Sequence, residues 1–207
     1  MTEIKGLSKS FGGKKIIDSL SFSFEDGRVY ILSGASGSGK TTLLSILAGI
    51  DRDYEGSVIT GSTSFAFQGG NLLPWLDCAE NTLLASTEKP RAEAEALLSE
   101  LGIEDPCMYP SELSGGMKIR VGLARALFRD AGLYLLDEPF AGLDSASISL
   151  VSDVIKRKTA GKTVIAVVHD SVDIVGVFEG KRLVIPSSPL TELIEADRRG
   201  DSEGNQI

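Results

Sequence analysis

The chain has 207 residues, 42% hydrophobic and 24% charged, enough for one compact domain or for a domain carrying an inserted lobe. No apolar run approaches the ~20 residues that cross a bilayer, and Met1-Thr2-Glu3-Ile4-Lys5 lacks the apolar stretch of a secretory leader, so a cytosolic location is expected. A formal charge of −8 argues against a large nucleic-acid footprint, which is built from accumulated Lys and Arg, and Cys78 and Cys107, far apart and outside any C-x-x-C pair, read as two reduced thiols.

In chain order, residues 3–10 predict a strand and Phe11-Gly12-Gly13 a turn after it. Ser21-Phe22-Ser23-Phe24 alternates like a half-buried strand before the Asp26-Gly27 turn. Residues 29–32 are apolar on both faces, which predicts a central strand covered on both sides. That strand feeds Gly34-Ala35-Ser36-Gly37-Ser38-Gly39-Lys40-Thr41-Thr42, and a helix is predicted over 41–48 with Gly49 as its C-terminal stop. The spacing G-x-x-x-x-G-K-[ST] is that of a phosphate-binding loop. Its glycines let backbone N–H groups turn towards phosphate oxygens, and the helix start adds the positive end of its dipole. Lys40 is placed to reach the β- and γ-phosphates while the Thr41 hydroxyl binds Mg²⁺.

Two short strands are predicted around 58–59 and 64–67. From 69 to 130 helical signals replace strand signals, which predicts a helical lobe inserted into an α/β core at 1–68 and 131–196. Pro90 opens one helix, with Ala94, Leu97, Leu98 and Leu101 on one face and Gly102 closing it. A second follows Ser114-Gly115-Gly116, with Ile119, Leu123 and Leu127 inward and Lys118, Arg125 and Arg129 off that face. Residues 133–136 and 163–168 predict buried parallel strands, 145–158 a helix presenting Ile148, Val151 and Ile155 inward, and 183–185 a last strand. The polar tail at 197–207 predicts disorder.

Asp137 and Glu138 follow four apolar residues at the C-terminal end of a buried strand, where open α/β sheets bind ligands. Asp137 is placed to hold Mg²⁺, and Glu138, pointing differently, to act as general base on an attacking water.

With the phosphate loop and the Asp137-Glu138 strand, Leu113-Ser114-Gly115-Gly116-Met117 running into residues 120–127 resembles the signature of ATP-binding cassette (ABC) ATPases. Gln68 resembles that family's Q-loop glutamine, Ala141-Gly142-Leu143-Asp144 its D-loop and His169 its switch histidine, all in family order. The resemblance implies a mixed RecA-like sheet with an antiparallel lobe and a helical subdomain, ATP hydrolysis with Mg²⁺, and two cassettes packed head to tail. It implies that Ser114, Gly115 and Gly116 bind ATP held by the partner, that Asp144 lies at the dimer contact, that Gln68 touches Mg²⁺ or the water, and that Phe11 stacks on adenine. Leu72-Leu73-Pro74-Trp75 after Gln68 resembles nitrate, sulfonate and taurine importers, which implies membrane permease subunits as partners and a solute-binding protein indirectly. A soluble ABC ATPase of DNA maintenance or translation, or a nucleotide-switched interaction module, is the other class. A single cassette without a coiled-coil insertion or basic stripe weighs against it.

Overall fold

A computed structural model describes residues 1–168 and 180–196. His169 and the tail at 197–207 lie outside the described residues.

The chain opens with β1 (Thr2–Phe11) and β2 (Lys14–Phe24), paired antiparallel, and β4 (Glu55–Ile59) adds to the other edge of β1 in the order β2-β1-β4. β2 is much longer than the alternating stretch at 21–24. Its first half is masked in the sequence because the β1–β2 register slips three times and Ser19 takes a positive φ of 54°, so the period of two is broken.

Among the described residues the second sheet has six strands. β3 (Val29–Gly34), β5 (Thr63–Ala66), β6 (Leu133–Asp137), β7 (Thr163–Val167) and β8 (Lys181–Ile185) run parallel in the order β5-β6-β7-β3-β8. β9 (Ile194–Ala196) closes the edge antiparallel to β8. Sequence periodicity gives no sign of β9, which has only three residues. β3 is central as expected, with Ile31 facing one core and Tyr30 and Leu32 the other.

α1 (Lys40–Leu47) contributes Leu43, Leu44 and Leu47 to a core cluster that also holds Ile4, Leu7 and Leu20 of the smaller sheet and Leu32 and Leu135 of the larger one. It ends at Gly49, whose N–H donates to the Ile46 carbonyl at 2.9 Å while Ile50 N–H reaches Ser45 O at 3.0 Å. The opposite sheet face carries α2 (Cys78–Leu83), α3 (Arg91–Glu100), α4 (Gly115–Phe128) and α5 (Ser145–Lys158). Residues 78–128 thus share one continuous core with α5 and the sheet.

Two details correct the helical pattern read from sequence. The buried side of α4 runs through Val121, Leu123, Ala124, Leu127 and Phe128, while Ile119 is only half-buried. Arg125 is not turned out to solvent: its Nη2 donates to the carbonyls of Gly70 and Asn71 at 2.7 and 2.9 Å. Periodicity alone cannot see a guanidinium that finds backbone oxygens on another segment.

α2 was also unexpected, being six residues with two acids or amides and little apolar pattern. Its start is fixed by a reciprocal cap: Asp77 accepts from Glu80 N–H at 2.7 Å and Glu80 accepts from Asp77 N–H at 2.9 Å. Asn81, fully buried on α2, ties down the preceding loop by donating to the carbonyls of Leu73, Leu76 and Asp77 and accepting from Leu73 N–H. Asn81→Ala leaves those groups buried without partners, so a loss of about 2 kcal/mol is expected, read as a Tm lower by roughly 4 to 8 °C in thermal unfolding.

Candidate nucleotide site

Because β3, β5, β6 and β7 are parallel, their C-terminal ends meet along one edge of the sheet, and the candidate residues hang from that edge. The loop after β3 turns through Gly39, with φ at 98°, into the first turn of α1, which has no acidic residue and no side-chain cap. A Cβ at Gly39 would sit 3.2 Å from the Ile16 side chain and 3.3 Å from its carbonyl, so the loop needs glycine there for space as well as backbone. The uncapped N–H groups of α1 remain oriented for an anion. Lys40, 7% exposed, has its ammonium on the carbonyls of Gly34 and Ala35 at 2.7 and 2.8 Å. Ser38 Oγ is buried in the same loop without a hydrogen-bond partner among the described residues.

On β6, two strands from the loop, Asp137 is 2% exposed. Burial pushes its carboxyl above the usual carboxylate range, with nearby Glu138 adding to the rise and Thr41 and Lys40 opposing it. Thr41 lies close enough to exert that pull, yet among the described residues neither carboxylate oxygen has a hydrogen bond of ordinary geometry. Two buried oxygen acceptors beside a threonine hydroxyl form a hard-oxygen donor set.

Glu138 has left the strand. Its φ of 53° is rare for a residue with a side chain, and such backbone is found most often where geometry serves a site. Its N–H is held by Val167 O at 3.1 Å, and its carboxylate accepts from Gln68 Nε2 at 2.9 Å. Gln68 comes from the end of β5, the neighbour of β6, so sheet order alone brings together two residues distant in sequence.

Two open clefts flank these residues. One, of about 580 Å³, is lined by Phe11, Thr41, Thr42, Ser45 and residues 50–53. The other, of about 600 Å³, holds Ser114, Gly115 and Gly116 with Asp144 and residues 141–143. Ser114 caps α4, its Oγ accepting from Met117 N–H at 3.2 Å, and Asp144 caps α5, its carboxylate accepting from Ser147 N–H at 2.8 Å. That hydrogen bond holds Asp144 below the usual carboxylate range. The Ser114 segment is therefore not among the residues lining the Phe11 cleft. Sequence reasoning missed Arg125, which fixes the chain just after Gln68. Its position three residues beyond Gly122 on α4 is a signal only once Gly70 is known to lie there.

A parallel α/β sheet ending in a glycine-rich phosphate loop, with two carboxylates on a nearby strand, defines a phosphate-loop nucleotide-binding protein. Comparison narrows the class. The family described as ABC transporter matches residues 17–141. The chain is 43% identical over 174 residues to "Aliphatic sulfonates import ATP-binding protein SsuB 1" of Streptomyces avermitilis, covering 81% of this chain and 66% of that protein. It is 35% identical over 208 residues to the SsuB protein of Corynebacterium glutamicum, covering 96% of this chain and 85% of that one. The dimeric structure of MJ0796, described as a bacterial ABC transporter cassette, superposes with a TM-score of 0.82 at 28% identity, covering 97% of this chain and all of that one. A post-hydrolysis state of the same cassette with ADP and Pi matches with a TM-score of 0.81. The chain belongs to the ABC transporter family, as one of its ATP-binding ATPase cassettes.

Proposed function

We propose that this cassette powers import of aliphatic sulfonates through a separate membrane permease, working at the cytoplasmic face as one of two like subunits that close on ATP. The observation that carries this is the link between Glu138 and the surface. Gln68 donates to Glu138, and the chain then runs directly to Trp75, which is 69% exposed on a loop pinned by Asn81. An indole held out on a fixed loop is a suitable anchor for a partner. The names of the sulfonate-import relatives support the substrate class, and the dimeric MJ0796 cassette supports pairing. No helix among the described residues is long and apolar enough to cross a membrane.

In this reading residues 69–130 form the helical lobe on an α/β body of 1–68 and 131–196. Lys40 and the loop of residues 34–42, through its N–H groups, bind the triphosphate. Phe11 faces adenine, Glu138 takes the proton of the attacking water, and Gln68 orients that water through its amide. His169, outside the described residues, is assigned to the γ-phosphate. Ser114, Gly115, Gly116 and Asp144 serve the nucleotide of the partner subunit. The donor set of Asp137 and Thr41, with the Gln68 amide oxygen, fits Mg²⁺, which when bound neutralises phosphate charge. Among the described residues no group of three or more His, Cys, Asp or Glu forms a protein cage, and Mg²⁺ held here would take further oxygens from phosphate and water, as it commonly does at phosphate sites.

The buried Asp137 carboxyl has a pH signature. Its folded pKa lies above its unfolded value, so the folded state binds its proton more tightly and this group lowers stability as pH rises through the window above the ordinary carboxylate value. Without nucleotide or Mg²⁺, Asp137→Asn should therefore gain in Tm relative to the parent chain on going from about pH 4 to pH 7. A gap independent of pH counts against it.

The function is tested by deleting the chain in its native cell and following uptake of an alkanesulfonate. Uptake should be lost, be restored by the parent chain and not by Glu138→Gln. Unchanged uptake overturns the substrate class. Recovery of soluble proteins or nucleic acid alone when the tagged chain is captured from gently solubilised membranes overturns the permease partnership.

A further inference from the structure

The cleft lined by Phe11 has two walls, and one side chain holds both. Lys9 is 4% exposed although it is a lysine, and it lies on β1, the middle strand of the three-stranded sheet. Its ammonium donates to Asp51 Oδ1 at 2.9 Å, to the Asp53 carbonyl and, at 3.3 Å, to Asp53 Oδ2. Asp51 also accepts from Asp53 N–H at 3.0 Å, which closes the turn of residues 51–53. The same ammonium stands 4.7 Å from the centroid of the Phe11 ring. Lys9 and Phe11 are two apart on β1, hence on one side of the strand, and the β1 register slips on both sides of Lys9. Asp51 holds Lys9 above the ordinary lysine range, so it is cationic throughout the working pH range.

Phe11 is 53% exposed at the end of a strand, where a ring is free to change rotamer. A buried cation against the ring restrains it, and the same cation fixes the turn that faces the ring across the cleft. We infer that Lys9 is a positioning residue for nucleotide affinity, holding Phe11 and the 51–53 turn at the spacing that accepts a base. This rests on Phe11 as the base-stacking residue.

The test compares ATP with inorganic tripolyphosphate, which carries the phosphates without a base, on the full chain. Lys9→Met should raise KM for ATP about 3- to 20-fold with kcat at saturation within about twofold, and leave the tripolyphosphate Kd unchanged. Lys9→Arg, which keeps a cation over the ring, should recover most of the loss. Asp51→Asn, which weakens the anchor without emptying the site, should raise KM less and in the same direction, and it serves if Lys9→Met does not fold. Phe11→Leu, measured alongside, should also raise KM for ATP. A Phe11→Leu variant with unchanged KM overturns the stacking assignment and this inference with it. If Phe11→Leu raises KM while Lys9→Met and Asp51→Asn do not, the inference fails and the stacking assignment stands. Equal weakening of ATP and tripolyphosphate by Lys9→Met overturns it as well, since general loosening of the fold acts on both ligands.

Discussion

Replacing Glu138 by Gln is expected to lower ATP turnover by about 10²- to 10⁴-fold while ATP binding stays close to that of the parent chain. The argument is geometric. Glu138 follows Asp137 on β6 but turns away from the strand at φ 53°, so its carboxylate leaves the buried row and meets Gln68 Nε2 at 2.9 Å. Glutamine has the same shape, and its amide oxygen can accept from Gln68, so the local packing survives. What disappears is the ability to take a proton. The loop proposed to bind phosphate keeps its own anchors, Lys40 on the carbonyls of Gly34 and Ala35, neither of which involves Glu138. Steady-state phosphate release with equilibrium ATP binding on the same preparation separates the two effects. Turnover within tenfold of the parent shows that Glu138 is not the base, and lost binding shows that the substitution damaged the site.

Gly122→Ala is expected to destabilise the protein by about 3 kcal/mol, lowering Tm by roughly 6 to 12 °C, because it adds a methyl where two backbones touch. The new Cβ would lie 2.5 Å from Gly70 Cα and 2.7 Å from Gly70 O, distances that backbone atoms do not tolerate. Gly70, at φ 84°, has no spare room either, since a Cβ there would fall inside the Lys118 carbonyl. Relief requires the 70–71 segment to lift from α4, which breaks the two Arg125 hydrogen bonds at 2.7 and 2.9 Å and leaves a half-buried guanidinium unpaired. Gln68 is two residues upstream, so turnover should fall with stability. Gly132→Ala is the control: its methyl would meet only Ser62 atoms at 3.7 and 3.8 Å, and a change within about 0.5 kcal/mol is expected. Equal melting of the two variants refutes the tight contact.

These two cases divide what is legible in one dimension from what is not. The phosphate loop, the Asp137-Glu138 pair and the Ser114 helix start are all local. Each depends on glycines, apolar runs and caps within a few residues, and the structure places each at the end of the strand or helix expected for it. α5 matches its expected span for the same reason, with Asp144 capping it and three cations in its last turn. Elements whose signal is short or broken were not legible. α2 owes its start to a cap and a buried Asn81 rather than to periodicity, and the first half of β2 is obscured by register slips.

By itself, then, the sequence determined the family, the phosphate chemistry and the α/β class, because these reside in motifs whose spacing is set by single turns and strands. Only the tertiary structure decided that Gln68 reaches Glu138, that Arg125 clamps the 70–71 carbonyls, and that Lys9 lies between Phe11 and Asp51. Each of these joins segments far apart in the chain. Sheet order and backbone approach, which no local pattern encodes, select the pairs, and burial then requires every polar group brought inside to find its partner there.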